Sequence, residues 1–209
     1  MQKIGLKHHL DLQKRIPLDE AEQIFEVIRE LYLAHSAEVK SVEIVGSFRR
    51  GYKEAGNLDI LVQMNSRSDR KAHQEVKKAV LEQLKQKGLL LDLIAESKDL
   101  AYMVIQLDPH HPARQVDVWF TSEKEYPFQL LGRLGSVTFN ISIRSWAKNK
   151  GYSLSNHGIE PLDHDAKIEL KKRVPSRIDD IFRLLDLPVF KPEEMNATVD
   201  KHGATTKDG

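Results

Sequence analysis

A short polar motif in the first third of the chain combines residue types that bind phosphates. Gly46-Ser47 directly follows an apolar, alternating segment, and Arg49 and Arg50 come shortly after it. A glycine lets the backbone approach a phosphate closely, a serine adds a hydroxyl donor, and an arginine can bind phosphate oxygens with two N–H groups. We interpret the motif as a candidate phosphate site. The alternative is a plain turn with two solvated arginines. If the Gly-Ser pair is considered alone, this alternative is favoured.

Three further side chains are candidate ligands for divalent metal ions. Asn57 and Asp59 are two positions apart, so they share one face if the segment is a strand. Asp117 is a single charge inside an apolar segment, and buried carboxylates are rare unless they are paired or bind a metal. If the two strands are neighbours, the three side chains converge as oxygen ligands. The alternative for Asp117 is a salt bridge to a cation such as Arg114.

Hydrophobic periodicity predicts the elements that position these residues. Helical spacing of apolar residues predicts helices over 18–33, 69–87, 128–134, 137–150 and 177–185. Apolar and alternating segments predict strands over 41–45, 58–62, 89–94, 101–107 and 115–120, with short extended pieces at 152–154 and 157–160. This order indicates an α+β protein, in which a sheet domain is followed by a mostly helical C-terminal subdomain. The polar segment 196–209 lacks periodicity, and we expect it to be disordered.

The composition excludes several classes of function. The chain has 209 residues, a formal net charge of +1 and no cysteine, which excludes disulfides, thiolate nucleophiles and cysteine-bound zinc. No apolar run approaches the roughly 20 residues that span a membrane, and we expect an intracellular protein without a membrane partner. Any contact with nucleic acid would depend on local patches, such as Lys148, Lys150 and residues 171–173, and on bound metal.

Taken together, these motifs resemble the palm of the family X DNA polymerases, the group that includes DNA polymerase beta. The resemblance rests on residues 46–51, 56–62 and 116–118, on a C-terminal block at 131–144, and on flanking segments within about 3–194. It implies a nucleotidyltransferase-type palm with a mixed β-sheet and flanking helices over 1–122, and a nucleotide-selecting subdomain over 123–195. Because the palm motifs begin close to Met1, we expect a minimal, viral-type form without a lyase domain.

The resemblance also implies a role for each matching residue. The metal ligands would be Asn57, Asp59 and Asp117, holding two Mg²⁺ ions for which Mn²⁺ can substitute. Asn140 would contact the incoming base or sugar edge, and Arg144 the template side of the nascent pair. The residues expected to bind the nucleotide are Arg15 (at the terminal phosphate), Gly46, Ser47, Arg50, Gly56 and Gly132.

The implied reaction is DNA-directed DNA synthesis in short-gap repair. A primer 3′-hydroxyl would attack the α-phosphate of a nucleoside triphosphate, with Asp117 assisting its deprotonation. The expected partners are nucleoside triphosphates and primer–template, gapped or broken DNA, bound by a monomer. Two alternatives stay open: a small nucleotidyltransferase acting on another acceptor, and a non-catalytic protein that binds DNA ends or gaps.

Asn57 departs from the family pattern, because family X members have an aspartate at this position. An amide is neutral and offers a single ligating oxygen, whereas a carboxylate can bridge two cations. We therefore expect impaired catalysis in this chain. The change is either an introduced substitution that traps a complex or a natural loss of activity, and the intact remainder of the motifs favours the first.

Gly132-Arg133 is the second departure. Many family X members have Tyr-Phe here, which crowds the sugar 2′ position, and the ribonucleotide-tolerant relatives have Gly-Trp. We therefore expect weak discrimination against ribonucleotides in an active form of this chain. The alternative is that Gly132 is a helix break.

Overall fold

The computed structural model describes residues 9–65, 70–200 and 202–206, and its chain forms two compact units. The first unit contains the described residues up to Phe48 together with those from Tyr52 to Glu123. The second contains Arg49–Gly51 and the described residues from Lys124 onward. Among the described residues, no helix has the length and apolar character needed to cross a membrane.

The first unit begins with helical segments that lead into the sheet. Helix α1 (His9–Leu12) is followed by the short strand β1 (Ile16–Pro17) and the long helix α2 (Leu18–Leu33), whose bounds confirm the prediction from periodicity. Pro17 caps α2, where the missing N–H of a proline costs nothing. The buried face of α2 consists of Ala21, Ile24, Ile28 and Tyr32, at the spacing of one helix face.

A five-stranded mixed sheet forms the centre of this unit. Its strands are β2 (Val39–Ile44), β4 (Leu58–Met64), β5 (Leu90–Ser97), β6 (Leu100–Ile105) and β7 (Arg114–Thr121), in the order β2-β4-β7-β6-β5. Strands β4 and β7 pair in parallel, and the other neighbours pair antiparallel. In the central pair β4–β7 one face is apolar and lies in the core, whereas the other face carries Asp59 and Asp117.

Three further elements complete the first unit. The helical turn α3 (Gly46–Arg49) follows β2, and β3 (Glu54–Ala55) pairs with β1. Helix α4 (Arg70–Gln86) packs its buried Val76, Val80 and Leu84 into the core beside the sheet. We predicted that α4 begins at residue 69, which lies outside the described residues.

The second unit is mostly helical. Its helices are α5 (Tyr126–Leu134), α6 (Val137–Asn149), α7 (His164–Lys172) and α8 (Ile178–Leu184), with a hairpin of β8 (Tyr152–Ser155) and β9 (Gly158–Pro161) between α6 and α7. Phe139, Phe182 and Phe190 form edge-to-face contacts in its core. The two units together confirm the predicted α+β class.

Two segments of the second unit differ from our expectations. Periodicity did not predict α7, since a single residue of this helix, Ala166, is buried; the Asp163 side chain accepts a hydrogen bond from the Ala166 N–H and marks its start. We expected disorder over 196–209, but β10 (Thr198–Val199) pairs with β11 (Thr205–Thr206). Burial of Met195, Ala197 and Val199 stabilises this hairpin, although its sequence is polar overall.

Candidate active site

The two candidate carboxylates lie side by side on the central strands of the sheet. Asp59 on β4 is the direct register partner of Asp117 on β7, so both side chains leave the same face at the same level. Asp117 is 8% exposed, whereas Asp59 is half-buried. We predicted that the cluster forms if the two strands are neighbours, and the structure confirms that they are.

Asn57 completes the cluster from the residue before β4. Its Nδ2 donates to Asp59 Oδ1 at 3.0 Å and to Asp117 Oδ2 at 2.9 Å. Both hydrogen bonds have a charged acceptor, which makes them stronger than neutral ones. The amide therefore joins two carboxylates that would otherwise repel each other.

Arg114 does not form the salt bridge to Asp117 that we gave as an alternative, because it pairs with Glu20 instead. The Arg114 guanidinium donates to both carboxylate oxygens of Glu20, at 2.8 and 2.7 Å, and this pair is largely buried. Its remaining nitrogen, NH1, donates to the backbone carbonyls of Lys14 and Arg15. Arg114 therefore fixes the segment that carries Arg15, a role that sequence reasoning missed.

Gln115 is a second residue that we did not predict. Its Nε2 donates to Asp117 Oδ1 at 2.9 Å, so Gln115 and Asn57 each bind one oxygen of the same carboxylate. The spacing Gln115-x-Asp117 repeats that of Asn57-x-Asp59, and this strand period was a signal from which Gln115 could have been found.

Gly46, the first residue of the predicted phosphate motif, packs closely against the Asp59 side chain. Gly46 has φ +67°, and a Cβ there would collide with the Asp59 carboxylate, whose Cγ lies 2.9 Å from the ideal Cβ position. Glycine is required here by both its backbone conformation and the close approach. The half-buried Ser47 and the exposed Gly56 belong to the same unit, and a Cβ at Gly56 would meet no atom. The motif forms a four-residue helical turn in which Arg49 is exposed, so the phosphate site and the turn with solvated arginines both stay predictions.

Arg15 is exposed and weakly held. Its Nε lies 3.5 Å from Glu54 Oε1, and both side chains are about 60% exposed. Surface pairs of this kind contribute little to stability, so the guanidinium can turn to a phosphate at small cost. Its backbone, in contrast, is fixed through Arg114.

Four predicted site residues lie in the second unit. Arg50 donates to Leu134 O at 2.9 Å and to Asn196 Oδ1 at 2.7 Å. Asn140 donates through Nδ2 to the carbonyls of Gly132 and Gly135, at 2.8 and 2.9 Å, and so caps the end of α5. A contact of Asn140 with a nucleotide would therefore use its Oδ1.

Gly132 lies inside α5, so our alternative interpretation of this residue as a helix break is wrong. A Cβ at this position would collide with the side-chain amide of Asn156, whose Cγ lies 2.9 Å from the ideal Cβ. Arg144 donates through NH2 to Asn156 Oδ1 at 2.9 Å. The structure thus connects two predicted residues through a third that the sequence did not single out.

The cluster in the first unit fits a divalent cation by the chemistry of its donors. Carboxylate and amide oxygens are the ligands that Mg²⁺ prefers. Within residues 9–65, 70–200 and 202–206, no group of three or more His, Cys, Asp or Glu side chains converges as a metal site. The cluster of Asn57, Asp59 and Asp117 has two carboxylates, and Asn57 must turn its amide over to present Oδ1.

Family comparisons match both units. The DNA polymerase beta palm family matches residues 15–123, and the DNA polymerase beta thumb family matches residues 129–196. The chain is 31% identical to DNA polymerase lambda from Rattus norvegicus over 204 residues, which is 92% of this chain and 35% of that protein. It is 26% identical to DNA nucleotidylexotransferase from Xenopus laevis, over 94% of this chain and 44% of that protein.

A solved structure has the same fold. The crystal structure of Leishmania infantum polymerase beta in a ternary P/T complex superposes with a TM-score of 0.81 at 25% identity, covering 93% of this chain and 82% of that one. The curated relatives are longer, and the chain spans 35% of the rat protein and 44% of the frog protein.

Proposed function

The chain belongs to the family X DNA polymerases, and on that premise we propose that it is built for nucleotidyl transfer to a DNA primer. In this reaction the primer 3′-hydroxyl attacks the α-phosphate of a nucleoside triphosphate and releases pyrophosphate. The observation that carries the proposal is the convergence of Asn57, Asp59 and Asp117 on neighbouring strands. We further propose gapped or primed DNA as the polymer substrate.

In the first unit, one group of residues would bind the metal ions and another would bind the triphosphate. Asp59, Asp117 and the Asn57 amide oxygen would hold divalent ions, which supply charge neutralisation and activation of the hydroxyl. Asp117 would lie on the side of the attacking hydroxyl and assist its deprotonation. Gly46, Ser47 and Gly56 would line the triphosphate, and the exposed Arg15 would turn from Glu54 to its terminal phosphate.

The residues of the second unit would contact the nucleotide and the DNA. Arg50 would contribute to triphosphate binding, Asn140 would contact the base or sugar through Oδ1, and Arg144 would contact the template. Gly132 would present no side chain of its own to the sugar, which supports the proposal of weak discrimination against ribonucleotides.

Asn57 would impair catalysis in this chain. It removes one negative charge from a site intended for two divalent cations, and its N–H groups point at the two remaining ligands. Loss of a catalytic group of this kind costs on the order of 10³-fold in rate.

Primer extension on a one-nucleotide gap with Mg²⁺ tests the proposal. We expect Asn57→Asp to raise incorporation on the order of 10³-fold, and Asp117→Ala in that background to abolish the gain. Asn149→Asp is the matched control, because it makes the same change at an exposed residue at the end of α6. No gain with Asn57→Asp would refute a disabled polymerase.

A non-catalytic protein that binds DNA ends or gaps is the second candidate. The observation that favours it is that the Asn57 amide satisfies both carboxylates from within the chain. Gapped-DNA binding without turnover in the Asn57→Asp form would support this candidate. Activity restricted to other acceptors would instead indicate a nucleotidyltransferase with a different substrate.

A further inference from the structure

Asn156 occupies the space beside Gly132 that a side chain on α5 would fill. The ideal Cβ of Gly132 lies 2.9 Å from Asn156 Cγ and 3.3 Å from its Nδ2, and closer still to its Oδ1. Contacts of this kind are tighter than ordinary van der Waals contact. A side chain at position 132 and the present position of the Asn156 amide therefore exclude each other.

The Asn156 amide is held in this position. Its Oδ1 accepts a hydrogen bond from Arg144 on α6. Asn156 lies in the β8–β9 turn, where the Ser155 hydroxyl accepts from the His157 N–H at 3.2 Å. His157 Nδ1 in turn lies 3.4 Å from Glu125 Oε1, at the N-terminus of α5. The turn thus contacts α6 through the Arg144 hydrogen bond to Asn156, and it contacts the start of α5 through the exposed His157 side chain.

We propose that Asn156 is a specificity-determining residue of the nucleotide site. This inference rests on the proposed function, in which the Gly132 face of α5 lies beside the nucleotide sugar. Gly132 has no side chain on this face of α5, and the amide of Asn156, from the β8–β9 hairpin, fills the space that such a side chain would occupy. The Asn156 amide, whose Oδ1 is bound by Arg144, partly excludes the 2′-hydroxyl of a ribonucleotide by its volume.

A double-mutant cycle in thermal unfolding tests the contact without any activity. Alanine is favoured over glycine inside a helix, so Gly132→Ala should raise the Tm by about 2–4 °C in the Asn156→Ala background. In the Asn156 background the collision should cancel or reverse this gain. Additive effects of the two substitutions would overturn the inference, because they would mean that the side chains do not compete.

Binding of a matched pair of triphosphates tests specificity. We would measure the affinities for a deoxyribonucleotide and the corresponding ribonucleotide on gapped DNA with a dideoxy-terminated primer and Mn²⁺. Asn156→Ala should lower the preference for the deoxy form about 10-fold. Asn156→Asp keeps the volume and the partner Arg144, so it should retain the preference, and Asn149→Ala is the surface control.

The outcomes separate the two proposals. An unchanged or increased deoxy preference in Asn156→Ala, with both triphosphates still bound, would overturn the inference alone. Failure of both triphosphates to bind the unsubstituted chain would overturn the proposed function and this inference together.

Discussion

Asn57 shows how one side chain can replace part of what a cation does. Two carboxylates at register positions on paired strands repel each other, and a metal ion between them would offset this repulsion. In this chain the Nδ2 group supplies two hydrogen bonds to the same carboxylates. These hydrogen bonds offset part of the repulsion between the two carboxylates.

We predict that Asn57→Asp makes the stability of the fold depend on divalent metal. The substitution removes two hydrogen bonds and adds a third carboxylate, which should cost about 2 kcal/mol, or a Tm decrease of ~4–8 °C, in the presence of chelator. Mg²⁺ or Mn²⁺ should restore the Tm. Thermal unfolding with and without metal measures this effect.

Asn57→Ala is the control for that experiment. It also lacks the two hydrogen bonds, but it adds no charge, so metal should restore its Tm much less. Equal Tm values for the unsubstituted and Asn57→Asp proteins in chelator would contradict the prediction.

At the scale of elements, the Arg114–Glu20 pair connects β7 to α2 and to the segment before β1. The two side chains are 6% and 12% exposed, so removal of one partner leaves a largely buried charge. Arg114 also holds the carbonyls of Lys14 and Arg15. We therefore regard Arg114 as a positioning residue for Arg15.

We predict that Arg114→Ala lowers the free energy of unfolding by about 3–5 kcal/mol. In the Asn57→Asp background it should also raise the KM for the nucleoside triphosphate more than it lowers kcat, because Arg15 loses its backbone support. Arg29→Ala, which removes an exposed pair with Glu26, should change stability by less than about 0.5 kcal/mol. A purely structural role would leave KM unchanged in the folded fraction.

At the scale of the whole molecule, a net charge of +1 limits electrostatic binding to DNA. Of the lysines in the predicted patches, Lys148 lines a cleft of about 310 Å³ with Arg144 and Tyr152. Tyr152 adds no charge to this cleft at physiological pH, and burial raises the pKa of its hydroxyl further above the ordinary value. Lys150, by contrast, already pairs with Asp186 at 2.8 Å.

We predict that the two lysines differ in their effect on DNA affinity. Lys148→Ala should decrease the slope of log affinity against log salt by about 1, as expected for the loss of one phosphate contact. Lys150→Ala should change the slope less, because Asp186 already neutralises its charge. Titrations of gapped DNA at several salt concentrations measure both slopes, and equal effects would contradict the prediction.

The α+β class, the bounds of α2 and the proximity of Asn57 to Asp59 were predictable from the sequence, because apolar periodicity and strand spacing are local properties. The position of Asp117 beside them depended on the pairing of β4 with β7. The role of Gln115 could also have been predicted from its spacing to Asp117. Helix α7 and the C-terminal hairpin were not predictable, since they depend on a capping side chain and on a few buried residues.

The partners of the site residues were decided by the tertiary structure. Arg114 is close to Asp117 in sequence but binds Glu20, which is 94 positions away. Asn156 faces Gly132 because a hairpin and a helix pack together, and no local pattern encodes that contact. By itself, the sequence determined which chemical groups are present and their spacing along each strand. Only the packing of distant segments decided which groups meet, because burial and hydrogen bonding select partners in space rather than along the chain.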